Sequence, residues 1–486
     1  ADFGADEGRC VTTPVTADAA RLLLNLDTGT QGELRVGLLE TNGTFVAGFA
    51  PEDCVVLRTN STHAAVMWKN RSDLSALQGH AVRLVFIGSR AKLYSYRFEA
   101  SPQAITLREL PLLFADDSGI AARDGVIRVV HPARTRSAPV LEADCPWEGS
   151  RVYVYGSVYF DETAGQLRLW YMSRAHAYKG DFMLYATSQD GVTWLKPSLG
   201  LYDFEGSTAN NIVFGIHSPS VLRDVREPDP AKRYKMLGAK SGGYHAAFSA
   251  DGLRWTAYPK NPVLKYSDTI TLAQDPINGE YLAFHKRPAT VRGHGRRVVW
   301  LARSRDFQSW TEPELVFAPD SDDDIWTGGQ GQRTDVYNMS VFPHAAGFIG
   351  LPTMFRVTAA RRPKSELTPG QSPDDGPIDV QLVTSADGRT WQRTEPRLNV
   401  IPRGAPGTFD GGAILGVTST AVDGEETWVY YTALTTTHGG PMPPKRLSIG
   451  RAEWRRHGFV SLDASERGRV ETKPLCLGAP SLIVNA

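Results

Sequence analysis

The sequence predicts an all-β protein in which a five-bladed β-propeller follows an N-terminal β-sandwich. Three observations support this fold class. A hairpin motif that ends in Trp recurs between residues 188 and 391, and apolar residues come in short runs of strand length. The 486-residue chain also contains 46 Gly and 31 Pro, which favours many turns over long helices. A signature repeated at long intervals is typical of propellers.

The repeated motif reads Ser-x-Asp-Gly-x-x-Trp. It occurs at 188–194, 249–255 and 385–391, and a degraded copy at 304–310 has Phe307 in place of Gly. Asp-Gly supplies the positive φ of a tight hairpin turn, and the Trp that follows packs an outer strand. We therefore interpret these Trp residues as structural parts of propeller blades and not as ligand contacts.

Residues 1–108 are predicted to form an accessory β-sandwich. Runs of strand length, separated by Gly, Asn and Asp, lie at 21–26, 33–39, 64–69, 81–86 and 93–98. We find no acid–base group of residues in this part of the chain. The sandwich is therefore interpreted as a packing or sugar-binding module.

A short pattern near the N-terminus is repeated at the other end of the chain. Gly8-Arg9-x-x-Thr12-x-Pro14 recurs as Gly468-Arg469-x-x-Thr472-x-Pro474. Unpaired strands expose backbone groups, so we expect 466–486 to pack as strands on a sandwich edge. The edge would belong to this chain or to a neighbour, which would make an oligomer. The alternative is a truncated second sandwich.

The propeller is predicted to span 109–465, because five strand pairs joined by Asp- or Gly-bearing turns occur there. The pairs are 151–161 with 167–173, 217–224 with 233–237, 268–275 with 281–284, 335–342 with 348–352, and 412–417 with 427–431. The fifth unit lacks the Trp signature, and 446–451 and 458–461 are predicted to fill its outer strands. We expect 126–130 to supply a strand that closes the ring. Six blades, with 110–140 in one of them, is the alternative.

Charge and cysteine usage exclude several function classes. The chain has 53 basic and 53 acidic residues, so we expect no nucleic-acid partner. No apolar run approaches the about 18 residues of a membrane span, so no membrane partner is predicted. Cys10, Cys54, Cys145 and Cys476 include no C-x-x-C pair, which gives no support to a zinc or redox site. They are compatible with two disulfides or with free thiols. We expect a secreted or periplasmic protein.

Propeller topology predicts which residues lie together at one end of the central channel. The first strand of each blade lines the central channel, and its start shares a rim with the end of the antiparallel second strand. Acids that meet at one rim shift one another's pKa, which suits acid–base work on a glycosidic bond. The candidate catalytic carboxylates at this rim are Asp144, Glu148, Asp268, Asp335 and Asp410.

Cations, histidines and aromatic residues are predicted at the same rim as substrate-binding groups. They are Arg151, Trp147, His217, Lys240, His285, Arg287, Arg333, Tyr337 and Arg356. No metal site and no cofactor are predicted among them. An Asp at a strand start is also a frequent turn former or partner of an Arg. Asp161, Asp224, Asp275 and Asp423 are interpreted as turn residues at the opposite rim. The acidic run 320–324 is interpreted as a solvated loop, with a structural calcium site or a channel lid as alternatives.

Several segments resemble a known enzyme group. They are Asp144-x-Pro-Trp-Glu-Gly149, Asp229-Pro-x-x-Arg-Tyr-Lys235, Asp335-Val-Tyr-Asn-Met339 and Phe409-Asp410. With the hairpins, they resemble the five-bladed glycosidases of families 32, 43 and 68, and most closely bacterial family-32-like proteins. That resemblance implies a glycoside hydrolase or transglycosylase for a furanosidic sugar such as arabinan, fructan or galactofuranoside.

By blade position, the resemblance implies that Glu148 or Asp144 is the base or nucleophile and Asp268 a stabiliser or acid. Asp335 and Asp410 would share the remaining role. The chain departs from the family pattern, since the nucleophile motif Asn-Asp-Pro-Asn-Gly is absent, and so are clear counterparts of the Arg-Asp-Pro stabiliser and the Glu-Cys acid.

Two further hypotheses compete with a furanoside hydrolase. A sialidase-like hydrolase would hold the carboxylate of an acidic sugar with arginines, and Tyr337 or Tyr155 would be its nucleophile. A propeller that binds glycan or protein without turnover is the non-enzymatic alternative.

Overall fold

The computed structural model describes residues 1–69, 73–99, 105–107, 110–174, 180–266, 268–368, 370–418, 422–477 and 482–485. The chain divides into two compact units. The first comprises Ala1–Leu107, Gly119–Ile127 and Asp463–Ala486, and the second comprises Arg108–Ser118 and Arg128–Leu462. Positions 108 and 109, where the first domain boundary is predicted, lie outside the described residues.

Strands dominate both units. The short 3₁₀ turns among the described residues are Ser75–Leu77, Pro146–Glu148, Pro230–Lys232, Asp322–Asp324 and Lys364–Glu366. None of the helices in the described part of the chain is long and apolar enough to span a membrane. The four cysteines are free thiols.

The first unit contains the predicted β-sandwich. One sheet has the order Asp2–Phe3, Ala91–Glu99, Arg21–Asp27, Asn60–Ala65, and in the other Gly8–Val11, Val15–Thr16 and Glu33–Glu40 all pair with Ala81–Ser89. Alternate residues point inward, as a strand period of two requires, so Leu22, Leu24 and Leu26 are buried in one core. The indole of Trp68 donates a 2.7 Å hydrogen bond to the carbonyl of Val36 in that core.

The C-terminal strands have partners other than the predicted ones. Arg469–Thr472 pairs antiparallel with Ile120–Asp124, and Leu475–Leu477 pairs parallel with Ile105–Leu107. They form two-stranded sheets of their own and do not extend an edge of either four-stranded sheet. Segments that follow the sandwich in sequence offer the open backbone groups to which these strands bond.

The second unit is a five-bladed propeller of antiparallel sheets, as predicted. The strands of each blade are given from the inner strand outward; blade 1 is Val152–Tyr153 with Val158–Asp161, then Gln166–Arg174, Asp181–Ser188 and Ile212–Gly215, and blade 2 is His217–Arg223, Tyr234–Lys240, Gly243–Ser249 and Thr256–Ala257. Blade 3 is Ile270–Gln274, Tyr281–Val291, His294–Ser304 and Glu314–Phe317. Blade 4 is Arg333–His344, Gly347–Val357, Ile378–Val380 with Val383–Ser385, and Gln392–Arg393, and blade 5 is Ala413–Val417, Glu426–Leu434 with Val422–Asp423, Leu447–Arg455 and Arg134–Thr135.

The predicted closing strand is wrong. The fourth strand of blade 5 is Arg134–Thr135, which pairs with Leu447–Arg455. Ile127–Val130 pairs instead with Val460–Asp463, in a separate two-stranded sheet. The prediction that 458–461 forms an outer strand of blade 5 is therefore also wrong. A strand from before blade 1 completes the last sheet, so the ring closes and leaves that edge covered.

Hydroxyl groups near the channel join each blade to the next. Ser157 donates to the carbonyl of Val221, and Ser220 accepts from the amide of Leu272. The remaining bridges run from Thr271 to the Met339 carbonyl (2.6 Å), from Ser340 to the Val417 carbonyl (2.6 Å), and from the Val154 amide to Thr432 (2.7 Å). Five bridges thus connect five blades, and each uses a main-chain group that the inner strand would otherwise leave unpaired.

The Trp hairpins have the predicted turn chemistry and also connect blades. In the second copy, Ser249 and Asp251 accept main-chain N–H groups of the turn, and Gly252 has φ +75°. The carbonyl of Gly252 accepts the indole N–H of Trp170, a fully buried residue of blade 1, at 2.7 Å. Trp194 of the first copy packs on Tyr430 of blade 5, with ring centroids 5.4 Å apart.

Candidate functional site

A carboxylate, an ammonium and an aromatic ring meet where the first strands of blades 3 and 4 begin. Asp268 precedes the first strand of blade 3, and its Oδ1 lies 3.0 Å from the Nζ of Lys286 on the second strand. That Nζ is 3.5 Å from the ring centroid of Tyr337, on the first strand of blade 4. The Asp268 side chain is 46% exposed and that of Lys286 only 5%. A buried ammonium therefore holds an accessible carboxylate.

The charge state of Asp268 follows from these neighbours. Burial opposes its ionisation, but Lys286 and His217 outweigh that effect and lower the pKa of the carboxyl. Asp268 is therefore an ionised carboxylate at neutral pH, suited to act as a base, a nucleophile or a stabiliser of positive charge.

His217 enters the same site from the start of blade 2. Its Nδ1 lies 2.9 Å from Oδ2 of Asp181, and Arg174 binds the same carboxylate at 2.7 and 3.0 Å. Burial opposes ionisation of Asp181, but His217 and Arg174 beside it lower its pKa well below the usual range. The Nδ1 atom makes no hydrogen bond of good geometry within the described part of the chain, so Asp181 positions the ring through proximity and charge.

A tyrosine of blade 1 also lies near Asp268. Tyr153 ends the strand Val152–Tyr153 and Tyr155 follows that strand, with the two rings stacked at 6.1 Å. Burial and the neighbouring Tyr337 and Asp268 raise the pKa of Tyr155 well above its usual value, so its hydroxyl stays protonated. Side chains from blades 1, 2, 3 and 4 thus converge around Asp268.

Asp335 is not an accessible acid. Its side chain is fully buried and bound by Arg297 at 2.7 Å and Arg333 at 3.1 Å. The same two arginines bind Asp374 at 2.8 and 3.2 Å, which closes a ring of two acids and two bases. The predicted catalytic role of Asp335 and the predicted substrate contact of Arg333 are both replaced by this internal ion-pair network.

Glu148 is likewise a structural carboxylate. It is completely buried, accepting hydrogen bonds from Tyr171 at 2.7 Å, from Lys196 at 2.8 Å and from the amide of Asp144 at 2.9 Å. These partners belong to blade 1 and the turn before it. The indole of Trp147 in that turn donates to Asn211 at 2.7 Å, so it too is used within the blade.

Asp144, Cys145 and Glu148 bring three potential metal ligands within 4.8 Å of one another. The Lys196 ammonium already binds both carboxylates. Burial, a hydrogen bond with Asp144 and nearby negative charge raise the pKa of the Cys145 thiol to about 12. A protonated thiol beside an ammonium fits a cation poorly.

Asp410, the fifth candidate acid, is 2% exposed and accepts hydrogen bonds from Tyr431 at 2.8 Å and Thr408 at 3.0 Å. It ties the loop before blade 5 to the second strand of that blade. Of the five acids proposed from sequence, Asp268 alone combines exposure with the neighbours of an acid–base site among the described residues.

The remaining binding candidates occupy different environments. Arg287 stacks between Tyr266 and Trp300, 4.1 and 4.6 Å from their ring centroids. His285 is 1% exposed, and burial with the nearby Arg287 lowers its pKa to about 4, so it is a neutral core residue. Arg151 is half-buried at the start of blade 1, and Lys240 and Arg356 are exposed at the ends of second strands.

The acidic run 320–324 is not a solvated loop. Arg397 binds both oxygens of Asp320 at 2.8 and 3.0 Å, and Arg296 binds Asp324 at 2.7 Å. Asp323 is buried against Arg393. Arginines of blades 3 and 4 thus neutralise the run. Asp161, Asp224 and Asp275 each accept main-chain amides of their own turns, as expected.

Sequence reasoning missed Asp181, Lys286, Arg297 and Asp374. Lys286 could have been found, because it adjoins Arg287 on a second strand and strand alternation points the two side chains to opposite faces. Asp181 starts a third strand and Asp374 lies in a long connection between strands. Propeller topology places only first-strand starts and second-strand ends at the rim, so it predicts neither residue.

No protein-family model matches the chain, and no curated protein matches it. Solved structures give low similarities. A thermostable family-43 glycoside hydrolase is 13% identical, with a TM-score of 0.42, over 69% of this chain and 98% of that chain. The β-fructofuranosidase of Schwanniomyces occidentalis is 15% identical, with a TM-score of 0.40, over 66% and 59%. An N-acetylgalactosamine deacetylase from F. plautii is 17% identical, with a TM-score of 0.41, over 68% and 96%. The residues of the site, and not these proteins, therefore carry the assignment of function.

Proposed function

We propose that the chain is a glycoside hydrolase whose reaction takes place at Asp268 and His217. The observation that carries this proposal is the half-exposed, ionised Asp268 beside a histidine that Asp181 orients. A carboxylate with an imidazole nearby supplies the base and the acid that cleavage of a glycosidic bond requires.

The roles follow from the surroundings of each group. Asp268, ionised by Lys286, stabilises the positive charge that develops on the sugar or activates the attacking water. We assign His217, which lies next to Asp181, as the group that donates a proton to the leaving oxygen. The hydroxyl of Tyr155 stays protonated and is buried, which does not suit a nucleophile.

The proposed substrate is a furanosidic sugar, as the resemblance to families 32, 43 and 68 implies. A sialidase-like reaction is less favoured, because Arg174 is bound to Asp181 and Arg333 to Asp335. Those guanidinium groups are not available to clamp a sugar carboxylate in the way that such enzymes need. We further propose that the carbohydrate is met in a secreted or periplasmic location.

The test is a screen of arylglycosides of arabinofuranose, fructose, galactofuranose and sialic acid, followed by Asp268→Asn. We expect cleavage of a furanoside, and a fall in kcat of at least about 100-fold in the variant with an unchanged circular dichroism spectrum.

Asp144→Asn is the matched control, because Asp144 is exposed in the blade 1 turn. It should keep near wild-type kcat. Binding of a glycan without cleavage would support the non-catalytic alternative. Full activity of Asp268→Asn would remove this site from the reaction.

A further inference from the structure

Lys445 is a buried cation that donates hydrogen bonds to main-chain carbonyl groups. It lies between the second and third strands of blade 5 and is 5% exposed. Its ammonium donates to the carbonyl of His438 at 2.6 Å and to that of Gly370 at 3.4 Å. Two main-chain dipoles compensate only part of the charge of a desolvated ammonium.

Arg362 lies near Lys445, on the connection between the second and third strands of blade 4. Its Nη2 donates to the carbonyls of Ser372 at 2.9 Å and Gly439 at 2.8 Å. Its Nε is buried and has no hydrogen-bond partner among the described residues. Gly439 follows His438 in sequence, so adjacent peptide groups hold the guanidinium and the Lys445 ammonium close together.

The cluster has more positive than negative charge. Arg151 is a third cation near Lys445, and the compensating acid is Asp375. One oxygen of Asp375 already accepts the amides of Gly376 and Gly439, both at 2.7 Å. Burial lowers the pKa of Lys445 to about 8, the nearby charges of Arg151 and Arg362 add to that effect, and Asp375 opposes it.

His438 places this cluster next to the central site. Its ring packs on Tyr337 and Phe355 of blade 4, at centroid distances of 5.1 and 4.8 Å. Tyr337 is the ring that covers Lys286, the partner of Asp268. One histidine therefore contacts the wall of the proposed active site through its ring and holds Lys445 through its carbonyl.

We propose that Lys445 and Arg362 form an oxyanion-binding site that holds an acidic group during the reaction. The role of this site in the reaction rests on the proposed function, whereas binding of an anion at the site does not. The oxyanion is carried on the saccharide, as a carboxylate or sulfate, or is a free phosphate that enters with it. In each case its oxygens accept hydrogen bonds from the Arg362 Nε and the Lys445 ammonium.

The test is isothermal titration calorimetry on the full chain with inorganic phosphate, sulfate and glucuronate. We expect at least one of them to bind, and Lys445→Met and Arg362→Met each to weaken that binding about tenfold or more. Arg446→Met is the matched control, because Arg446 is the exposed neighbour of Lys445 and should leave binding unchanged. Binding of phosphate or sulfate without glucuronate identifies a site for a free oxyanion, and binding of glucuronate identifies a carboxylate carried on the sugar.

Absence of binding by all three anions at about 10 mM, a range set by weak single-ion sites, would overturn the proposal. So would unchanged binding in a folded Arg362→Met, which keeps the test decisive if Lys445→Met fails to fold. Asp268→Asn separates this inference from the proposed function, since it should lower kcat by at least about 100-fold and bind the anion as the wild type does.

Discussion

At the residue scale, the chemistry of the site depends on the pairing of Asp268 with Lys286. The lysine is almost fully buried, so its charge acts on the carboxylate with little screening by solvent. Without it, burial would dominate and raise the pKa of Asp268. The same type of residue, an Asp at a strand start, is neutralised by two arginines at Asp335.

Replacing Lys286 by Met should therefore shift the low-pH loss of activity to a higher pH. The pKa of Asp268 is lowered in the wild type, so its ionised form persists to low pH; in the variant the pKa rises and activity is lost at a higher pH. We expect a shift of about one unit or more in the pH dependence of kcat/KM. Lys232→Met, in an exposed turn, should not shift this pH dependence. An unchanged pH dependence in Lys286→Met would show that Asp268 does not titrate in the reaction.

At the element scale, the hairpin motifs connect neighbouring blades. The degraded copy demonstrates this, because Phe307 occupies the glycine position at φ +62° and is completely buried. Its ring packs on Tyr281 of its own blade at 5.2 Å and on Phe248 of blade 2 at 5.9 Å. A side chain in a left-handed conformation is compensated here by burial between two blades.

Phe307→Ala should lower the free energy of unfolding by about 3–5 kcal/mol, the usual loss for a buried aromatic ring. Denaturant unfolding followed by tryptophan fluorescence measures it. Phe160→Ala, at a position 47% exposed, is the matched control and should change stability by about 0.5 kcal/mol or less. Equal effects of the two variants would contradict the interpretation that the Phe307 ring stabilises the contact between blades 2 and 3.

At the scale of the whole molecule, three buried histidines make stability depend on pH. Burial lowers the pKa of His285 and His344 to about 4 and that of His438 to about 3. Between pH 6.5 and 4.5 the unfolded chain binds protons at these groups while the folded chain does not, so acidification favours unfolding. Stability is therefore present above pH 6.5 and falls as the pH decreases toward 4.

His285→Phe should flatten this dependence. Both ring nitrogens of His285 are buried and have no hydrogen-bond partner in the part of the chain that the structure describes, so an apolar ring leaves no donor or acceptor unpaired there. We expect the loss of unfolding free energy between pH 6.5 and 4.5 to be smaller by about 2 kcal/mol in the variant. Denaturant melts at the two pH values measure it, and an identical loss in wild type and variant would contradict the neutral state of His285.

The C-terminal strands contribute to the stability of the first unit. Removal of 468–486 leaves Ile120–Asp124 and Ile105–Leu107 without their strand partners. We expect a melting temperature lower by about 4 °C or more for that unit, measured by scanning calorimetry. An unchanged transition would show that the pairing adds nothing to stability.

The sequence alone determined the all-β class, the five strand pairs and the hairpins, because turn chemistry and strand alternation are local signals. It also placed Asp268 and His217 at one rim, since topology follows from strand order. Tertiary structure decided which acids are accessible. Asp335 meets Arg297 from another blade, and Glu148 meets Lys196 from 48 positions away. Any of many basic residues could have been those partners, and only packing selects one, so the charge and exposure of a carboxylate are properties of the folded molecule.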